Sequence, residues 1–204
     1  MPAQPGAGKP PGPAGVPRYD ARPMAASSAH PPQAAARVLY VLRHAKAGSR
    51  ASEGSDHERV LEPEGRLDAR AVGRALTHID EVPDRIVCSS AARTLETARL
   101  ARTAGGWEPE PEAQTRLYGA AGREITAALA ELGHGRRVLL VGHEPALSEL
   151  IALLTGAEVA FPTAAVARVD LAIDGWSSIA PRKGRLVWLL TPAVFAARPR
   201  PRRE

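Results

Sequence analysis

The stretch VLYVLRHAKAG, residues 38–48, decides the fold, because its mostly apolar residues run straight into Arg43 and His44. A short apolar run bounded by polar residues is typical of a buried strand. Open α/β sheets bind their ligands in the crevice beyond the carboxyl ends of the strands. We therefore interpret residues 37–42 as a buried strand whose end delivers a guanidinium and an imidazole to a ligand site.

Strands and helices alternate along the chain that follows. The pattern predicts strands at 84–90, 137–141, 167–173 and 184–190, and helices from Pro63, from Ala91 to about Ala104, from about Arg123 to Leu132, and from 145 to a stop at Gly156. The first helix is expected to bury Leu67, Ala71, Ala75 and Ile79, which recur every four residues. This order predicts a three-layer α/β/α sandwich with a mostly parallel central sheet and late consecutive strands at its edge.

The two ends of the chain differ from its middle. Residues 1–36 are rich in Pro, Gly, Ala and Ser, which predicts a disordered leader, because such a segment buries too little apolar area to offset its ordering entropy. Residues 193–204 are predicted to form a basic disordered tail, which leaves one domain at 37–192. The leader carries +2 and the tail +3 of the formal charge of +5, so the domain is neutral. A neutral domain argues against a nucleic-acid partner.

Composition also bears on the compartment. Cys88 is the only cysteine, so the chain has no internal disulfide, and this fits a reducing compartment. The sequence contains no apolar stretch approaching the ~20 residues of a membrane span and no secretory signal pattern. We expect a cytoplasmic protein with no membrane partner, and a monomer is the simplest expectation. Contact of the basic tail with RNA or a membrane is a weaker alternative.

Three predicted strands end in polar residues of similar chemistry. The first strand delivers Arg43 and His44, and the strand at 137–141 delivers His143 after Gly142. The strand at 85–88 delivers Ser89, Ser90 and, one helical turn later, Arg93. Guanidinium donors match phosphate oxygens in bidentate geometry, so two arginines and two histidines in one crevice suit a tetrahedral dianion. The sequence therefore predicts a phosphoryl ligand.

These residues resemble the signature of a known family. VLRHAKA is similar to the signature loop of the histidine phosphatase superfamily, whose usual form is Arg-His-Gly, and Ala45 followed by Lys46 resembles its small phosphohistidine phosphatase branch. The likeness continues in the same order through ERVLEPEGRLDARAVGRAL, DRIVCSSAARTLETA, VLLVGHEP and FPTAAVARVDL. The resemblance covers nearly all of 37–191 and implies a phosphoglycerate mutase-like fold and a metal-independent phosphatase without a cofactor.

The resemblance also implies a role for each residue of the pocket. It assigns His44 as the nucleophile that takes the phosphoryl group, and Arg43, Arg93 and His143 as its phosphate ligands. An imidazole attacks phosphorus only when it is unprotonated, and two fixed positive charges nearby lower its pKa. The same arginines would stabilise charge on the equatorial oxygens during transfer. The helix that follows His143 is expected to add amide donors at its N-terminus.

Three further residues are candidates for substrate binding. Arg59 precedes the turn of RVLEPEG, where it either reaches the phosphate pocket or is a solvated loop charge, and Lys46 has the same two interpretations. Ser90 is a candidate N-cap of the helix that carries Arg93, with substrate contact as its other interpretation. The remaining histidines form no metal-ligand spacing and are interpreted as residues of polar loops, helix ends and the leader: His30, His57, His78 and His134.

The proton donor of ester-cleaving members of the superfamily has no counterpart here. Gly119 of RLYGAAG stands where the resemblance would put a glutamate. General acid catalysis is worth roughly 10² to 10⁴ in rate, and an alkoxide leaving group needs it more than an imidazole does. Glu112 and Glu124 lie nearby in sequence and are candidate substitutes.

The leading hypothesis is a phosphatase for phosphohistidine, a phosphoramidate, carried by a phosphorylated protein or a small phospho-compound. A broad phosphomonoesterase or nucleotide phosphatase that uses another acid is the alternative enzyme. A non-catalytic phosphate-binding module is the alternative outside enzymes, although such a module needs only the arginines and not His44. Specificity is expected to lie in the loops at 45–62 and 105–122.

Overall fold

The computed structural model describes residues 37–48 and 55–195. The predicted leader and residues 196–204 of the predicted tail lie outside the described residues. Six strands form one sheet: β1 Arg37–Arg43, β2 Arg85–Ser89, β3 Pro111–Gln114, β4 Arg137–Gly142, β5 Val166–Leu171 and β6 Gly184–Leu190. Five helices connect or follow them: α1 Pro63–His78, α2 Ala92–Gly105, α3 Gly122–Ala130, α4 Ala146–Thr155 and α5 Pro192–Phe195.

The strand order in the sheet is β3-β2-β4-β1-β5-β6. The four strands from β3 to β1 are parallel, β5 is antiparallel to β1, and β6 is antiparallel to β5. The predicted parallel sheet with late consecutive strands at its edge is confirmed. The sequence pattern missed β3, because its residues PEAQ form no apolar run or alternation, are only partly buried and pair only with β2.

Strand β1 is central in the sheet, and its residues are buried on both faces of it. Val38, Tyr40 and Leu42 belong to the core on the side of α1 and α2. Leu39 and Val41 belong to the core on the side of α3 and α4. Burying each large apolar side chain contributes roughly 1.5 to 3 kcal/mol before the entropy cost of folding. Helices on both faces of one sheet confirm the three-layer α/β/α sandwich.

Helix α1 begins at Pro63 as predicted, but only part of the expected apolar face is buried: Ala71 is buried and Ala75 is half-buried. Leu67 is 66% exposed and Ile79 is 45% exposed, whereas the helix buries Val72 and Leu76. Helices α1 and α2 approach so closely that a Cβ on Gly73 would lie 2.0 Å from the carbonyl oxygen of Ala101. The buried face is therefore chosen by small residues that permit close approach, which a search for large apolar side chains does not detect.

Helices α2 and α3 follow the prediction to within about two residues at each end, and α4 ends at Gly156 as expected, whereas α5 was not predicted. The predicted boundary at residue 192 falls at the first residue of α5. In the part of the chain that the structure describes, no helix is both long enough and apolar enough to cross a membrane.

Candidate active site

The ends of β1 and β4 place two imidazoles side by side. Arg43 pairs with Gly142 in the parallel register of these strands, and the His44 amide donates to the Gly142 carbonyl at 3.0 Å. His44 and His143, the residues that follow the two strands, have ring centroids 5.2 Å apart. The topology of the sheet thus brings together two residues that lie 99 positions apart in the sequence.

His44 has a defined tautomer. Its Nδ1 lies 2.8 Å from the backbone carbonyl oxygen of Ala45. A carbonyl oxygen only accepts, so Nδ1 carries the proton and Nε2 of the neutral ring keeps its lone pair. Burial of the ring, with further contributions from Arg93 and Arg43, lowers the pKa of His44 to about 4. The Nε2 atom is therefore unprotonated at neutral pH and keeps a free lone pair.

His143 is held by a buried hydroxyl. Its Nε2 lies 2.9 Å from the Oγ of Ser89, the last residue of β2. Burial lowers the pKa of His143 to about 3, with further contributions from His44 and Arg93, so this ring is also neutral at pH 7. When the Ser89 hydroxyl donates to Nε2, Nδ1 carries the proton. That Nδ1 is buried and has no hydrogen-bond partner among the described residues.

Arg93, near the start of α2, is 6% exposed and carries a fixed positive charge into this site. Its guanidinium donates to Asp56 twice, to the backbone carbonyl at 2.6 Å and to Oδ2 at 3.0 Å. The Asp56 carboxylate also accepts from Arg59 at 2.8 Å and from the Tyr118 hydroxyl at 3.0 Å. These donors, Arg59 first, hold the pKa of Asp56 well below its usual range. Asp56 is therefore ionised at neutral pH.

Arg43, the last residue of β1, enters the site from the opposite side of the sheet. Its Nη1 donates to the carbonyl oxygen of Phe161 at 2.6 Å. Its Nε atom is buried and finds no hydrogen-bond partner within the described residues. Buried donors are satisfied in most native structures, so an unsatisfied guanidinium nitrogen beside a cluster of this kind points to a missing acceptor.

Of the predicted substrate-binding residues, one lies at the pocket and another lies outside it. Arg59 binds Asp56 and contributes to lowering the pKa of His44, which places its charge near that ring. Lys46 extends away: its ammonium pairs with Glu62 and Glu64 at 3.2 and 3.0 Å. The structure thus brings Arg59 together with the four pocket residues and leaves Lys46 at the start of α1.

The prediction that Ser90 caps α2 is wrong. The N-cap residue is Ala91, which makes no side-chain hydrogen bond to the helix. The Ser90 hydroxyl instead lies 2.9 Å from Nε2 of His57. Because α2 begins one residue later than a cap at Ser90 requires, its hydroxyl is available to a loop residue.

Sequence reasoning missed Asp56, Tyr118 and His57 as neighbours of the pocket. The Tyr118 ring contacts the His143 ring edge-on, with centroids 5.9 Å apart, and the His57 ring contacts Tyr118 in the same manner at 4.8 Å. Two signals could have found them. Asp56 lies three residues before Arg59, which is the spacing of a local ion pair, and Tyr118 directly precedes the glycine at the position expected of the acid.

The two candidate substitute acids are engaged elsewhere. Glu112 forms an ion pair with Arg85, with Nη2 and Oε2 2.7 Å apart, and this pairing lowers the pKa of Glu112. Glu124 accepts from the backbone amide of Ala121 at 2.7 Å at the start of α3. Neither contact belongs to the pocket, so neither glutamate is poised as a proton donor there.

The expected amide donors of α4 are also partly occupied. The Glu144 carboxylate accepts from the backbone amide of Ser148 at 3.2 Å and from its hydroxyl at 2.7 Å. The amide of Leu147 donates to the His143 carbonyl at 3.1 Å. Positive charge at the site therefore comes from guanidinium groups. Arg43, Arg59 and Arg93 outweigh the ionised Asp56 by two charges, which matches a phosphoryl dianion.

Comparison with known proteins defines the family. A family model of the histidine phosphatase superfamily (branch 1) matches residues 39–121. The uncharacterized protein Rv1276c of Mycobacterium tuberculosis is 33% identical over 164 residues, which cover 74% of this chain and 99% of the relative. The chain belongs to the histidine phosphatase superfamily.

Solved structures agree with the architecture. A SixA protein of Agrobacterium tumefaciens, described as a proposed phosphohistidine phosphatase, is 25% identical with a TM-score of 0.66, over 76% of this chain and 98% of that one. A phosphoglycerate mutase of Bacillus anthracis is 16% identical with a TM-score of 0.55, over 65% and 87% of the two chains. The second likeness concerns the fold alone, and it confirms the phosphoglycerate mutase-like architecture.

Proposed function

We propose that this protein is a metal-independent phosphatase that transfers a phosphoryl group to Nε2 of His44 and hydrolyses the resulting phosphohistidine. The observation that carries the proposal is the state of His44. Its Nδ1 proton is directed at the Ala45 carbonyl, and its pKa is lowered to about 4, so Nε2 is a free base at neutral pH. A general phosphate-binding site needs positive charge and has no need of such a base.

In the first step the Nε2 lone pair of His44 forms a bond to phosphorus while the bond between phosphorus and the leaving group breaks. A phosphohistidine ring that carries a proton on its other nitrogen leaves as neutral imidazole, so the site does not have to supply a proton. Arg43 and Arg93 neutralise charge on the transferring group, and Nδ1–H of His143 donates to one of its oxygens. In the second step a water oxygen attacks phosphorus, the bond to Nε2 breaks, and inorganic phosphate leaves. The ring of His44 returns to its neutral form.

The protonation state of Asp56 and the lack of an acid at position 119 favour a phosphoramidate substrate. Asp56, the carboxylate bound to Arg93, is ionised because Arg59, Tyr118 and Arg93 hold its pKa low, so it has no proton to give. Gly119 leaves the expected acid position empty of a side chain. An imidazole leaving group is less basic than an alkoxide and needs less help. The substrate class we propose is a phosphohistidine on a protein or a small phospho-compound.

Trapping of the phosphoenzyme tests the reaction. Brief incubation with a labelled phosphohistidine substrate should give an adduct on the wild-type protein that is stable to base and labile to acid, as a phosphoramidate is. His44→Ala should give no adduct and should lose more than about 10⁴-fold in turnover, because the nucleophile is absent. His78→Ala, at an exposed position on α1, is the matched control and should form the adduct. An adduct on His44→Ala, or one stable to acid, would refute the proposal.

A substrate comparison separates the alternatives. The protein should hydrolyse phosphohistidine with a higher kcat/KM than a sugar phosphate. A large preference for the sugar phosphate would favour the broad phosphomonoesterase instead. Tight phosphate binding without turnover of either substrate would favour the non-catalytic module.

A further inference from the structure

Two aromatic rings stand at the edge of the pocket and take no part in the proposed phosphoryl transfer. Tyr118 is 38% exposed, and its ring meets the ring of His143 edge-on at a centroid distance of 5.9 Å and an angle of 82°. His57 is half-buried, and its ring meets that of Tyr118 at 4.8 Å and 79°. The contacts therefore run in an unbroken series from the phosphate-binding imidazole to the protein surface.

The polar ends of both rings are anchored. The Tyr118 hydroxyl donates to Oδ2 of Asp56 at 3.0 Å, on the same carboxylate that holds Arg93. Nε2 of His57 lies 2.9 Å from the Ser90 hydroxyl. An aromatic side chain fixed by its polar end presents its apolar ring at little further entropy cost. The two rings are thus preorganised to contact a ligand.

Space is available beside the Tyr118 backbone. Gly119 has a φ of +74°, which turns the chain immediately after Tyr118, and a Cβ on Gly119 would find no heavy atom within 4 Å. The position where the resemblance places an acid is therefore open, and its nearest chain neighbour is an aromatic ring. The resemblance implies that an acid there would serve a leaving-group oxygen, whereas a ring favours contact with another ring.

We propose that Tyr118 and His57 form an aromatic rim that binds a planar leaving group, the imidazole of a phosphohistidine. This inference rests on the proposed function, because it names the part of the substrate that leaves from phosphorus. Edge-to-face or offset contacts between aromatic rings favour association by about 3- to 10-fold. The rim selects its ligand by shape. Where an acid would recognise an alkoxide leaving group, the rim recognises a planar ring.

Binding of non-hydrolysable phosphonates tests the rim without any need for turnover. Calorimetry would compare phenylphosphonate, which carries a planar ring, with cyclohexylphosphonate and methylphosphonate. The wild-type protein should bind the phenyl compound about 3- to 10-fold more tightly than the other two. Tyr118→Leu should reduce the ratio to nearly 1, whereas Tyr118→Phe keeps the ring and should retain most of it. His57→Gln can still bond to Ser90 and should give a partial loss.

The outcomes for the rim and for the proposed function are distinguishable. Equal affinity of wild type for all three phosphonates, or a phenyl preference unchanged in Tyr118→Leu, would overturn the rim whatever the turnover results are. A uniform loss of affinity for all three in Tyr118→Leu would also overturn it, since that result means Tyr118 only supports Asp56. Absence of a phosphoenzyme on His44 would overturn the proposed function and leave these affinity ratios intact. Thermal melting of each variant confirms that it folds.

Discussion

Two partly buried polar clusters of opposite character lie along strand β1 and at its end. The first, the Tyr40 cluster, comprises Tyr40, Glu81, Arg168 and Asp170. The second, the His44 pocket, comprises Arg43, His44, Arg93 and His143. In the Tyr40 cluster the Tyr40 hydroxyl donates to Glu81 at 2.5 Å, and Arg168 binds both Glu81 and Asp170. In the His44 pocket two buried nitrogen atoms have no hydrogen-bond partner among the described residues.

The polar groups of the Tyr40 cluster bind one another, which is typical of a structural role, whereas the His44 pocket is the candidate ligand site. Burial and the neighbouring Glu81 raise the pKa of Tyr40, so its hydroxyl stays protonated and the cluster is complete as it stands. Leaving a buried polar group unsatisfied costs about 1 to 3 kcal/mol. The His44 pocket bears that cost, and it also keeps two imidazoles neutral beside guanidinium groups. Such an arrangement is expected where a ligand completes the set of contacts.

The largest expected effect comes from removing one arginine from each cluster. Arg93→Met should lower kcat/KM by about 10² to 10³, because charge on the transferring phosphoryl group loses a fixed partner. Arg168→Met should lower the free energy of unfolding by roughly 3 kcal/mol, because two carboxylates lose their common cation. Steady-state kinetics and denaturant unfolding of both variants check the pair. The comparison fails if Arg168→Met loses activity per folded molecule as severely as Arg93→Met does.

Much of this fold could be predicted from the sequence because strong local patterns determine it. The apolar run of β1 and the Gly156 stop each depend on a few neighbouring residues. Strand β3 could not be predicted, because its polar residues become a strand only through pairing with β2. The buried face of α1 could not be predicted either, since it depends on the contact of Gly73 with Ala101 across two helices.

The candidate site also contains some residues that the sequence predicts and others that it does not. Arg43, His44 and His143 follow strand ends directly, so the rule for parallel sheets brings them together from sequence. Asp56 and His57 lie in the loop before α1, in a 3₁₀ turn at Asp56–Glu58 whose position against the sheet no short-range pattern specifies. Their neighbours are fixed by tertiary contacts, Arg93 for Asp56 and Ser90 for His57, which are 37 and 33 residues away in the chain. A loop of this kind can be assigned to a site only after the sheet is assembled.

Acidification should weaken the fold through the two imidazoles of the His44 pocket. The pKa values of His44 and His143 are lowered from 6.5 to about 4 and about 3 in the folded protein. The unfolded chain binds protons first as pH falls below 6.5, so stability is lost progressively from about pH 6.5 down to about pH 4 for His44 and about pH 3 for His143. Chemical unfolding at several pH values should show this loss in wild type and a smaller loss in a His44→Gln, His143→Gln double variant. Parallel curves for the two proteins would contradict the prediction.

Direct titration of His44 tests how far Arg93 lowers the pKa of this ring. Burial is the main cause of its low pKa, and Arg93 is the next charge to contribute. Arg93→Met should therefore raise the pKa of His44 above about 4 while leaving it below the ordinary value of 6.5, because the ring stays buried. Nitrogen-detected NMR of labelled histidine measures both the titration and the Nδ1–H tautomer. A pKa unchanged by the substitution would show that Arg93 does not act on this ring.

The smallest expected effect concerns Asp56, the carboxylate that binds Arg93 of the pocket. Its charge occupies donors of Arg93 and Arg59 and opposes an incoming phosphoryl dianion. Asp56→Asn keeps a side chain of the same size and removes the charge, so inorganic phosphate should bind about threefold more tightly, a modest gain because the carboxylate is partly solvated. Asp170→Asn makes the same change in the Tyr40 cluster and should lower stability without changing phosphate affinity. Weaker phosphate binding by Asp56→Asn would mean that Asp56 chiefly positions Arg93, and that the pocket, like the Tyr40 cluster, depends on a complete ion pair.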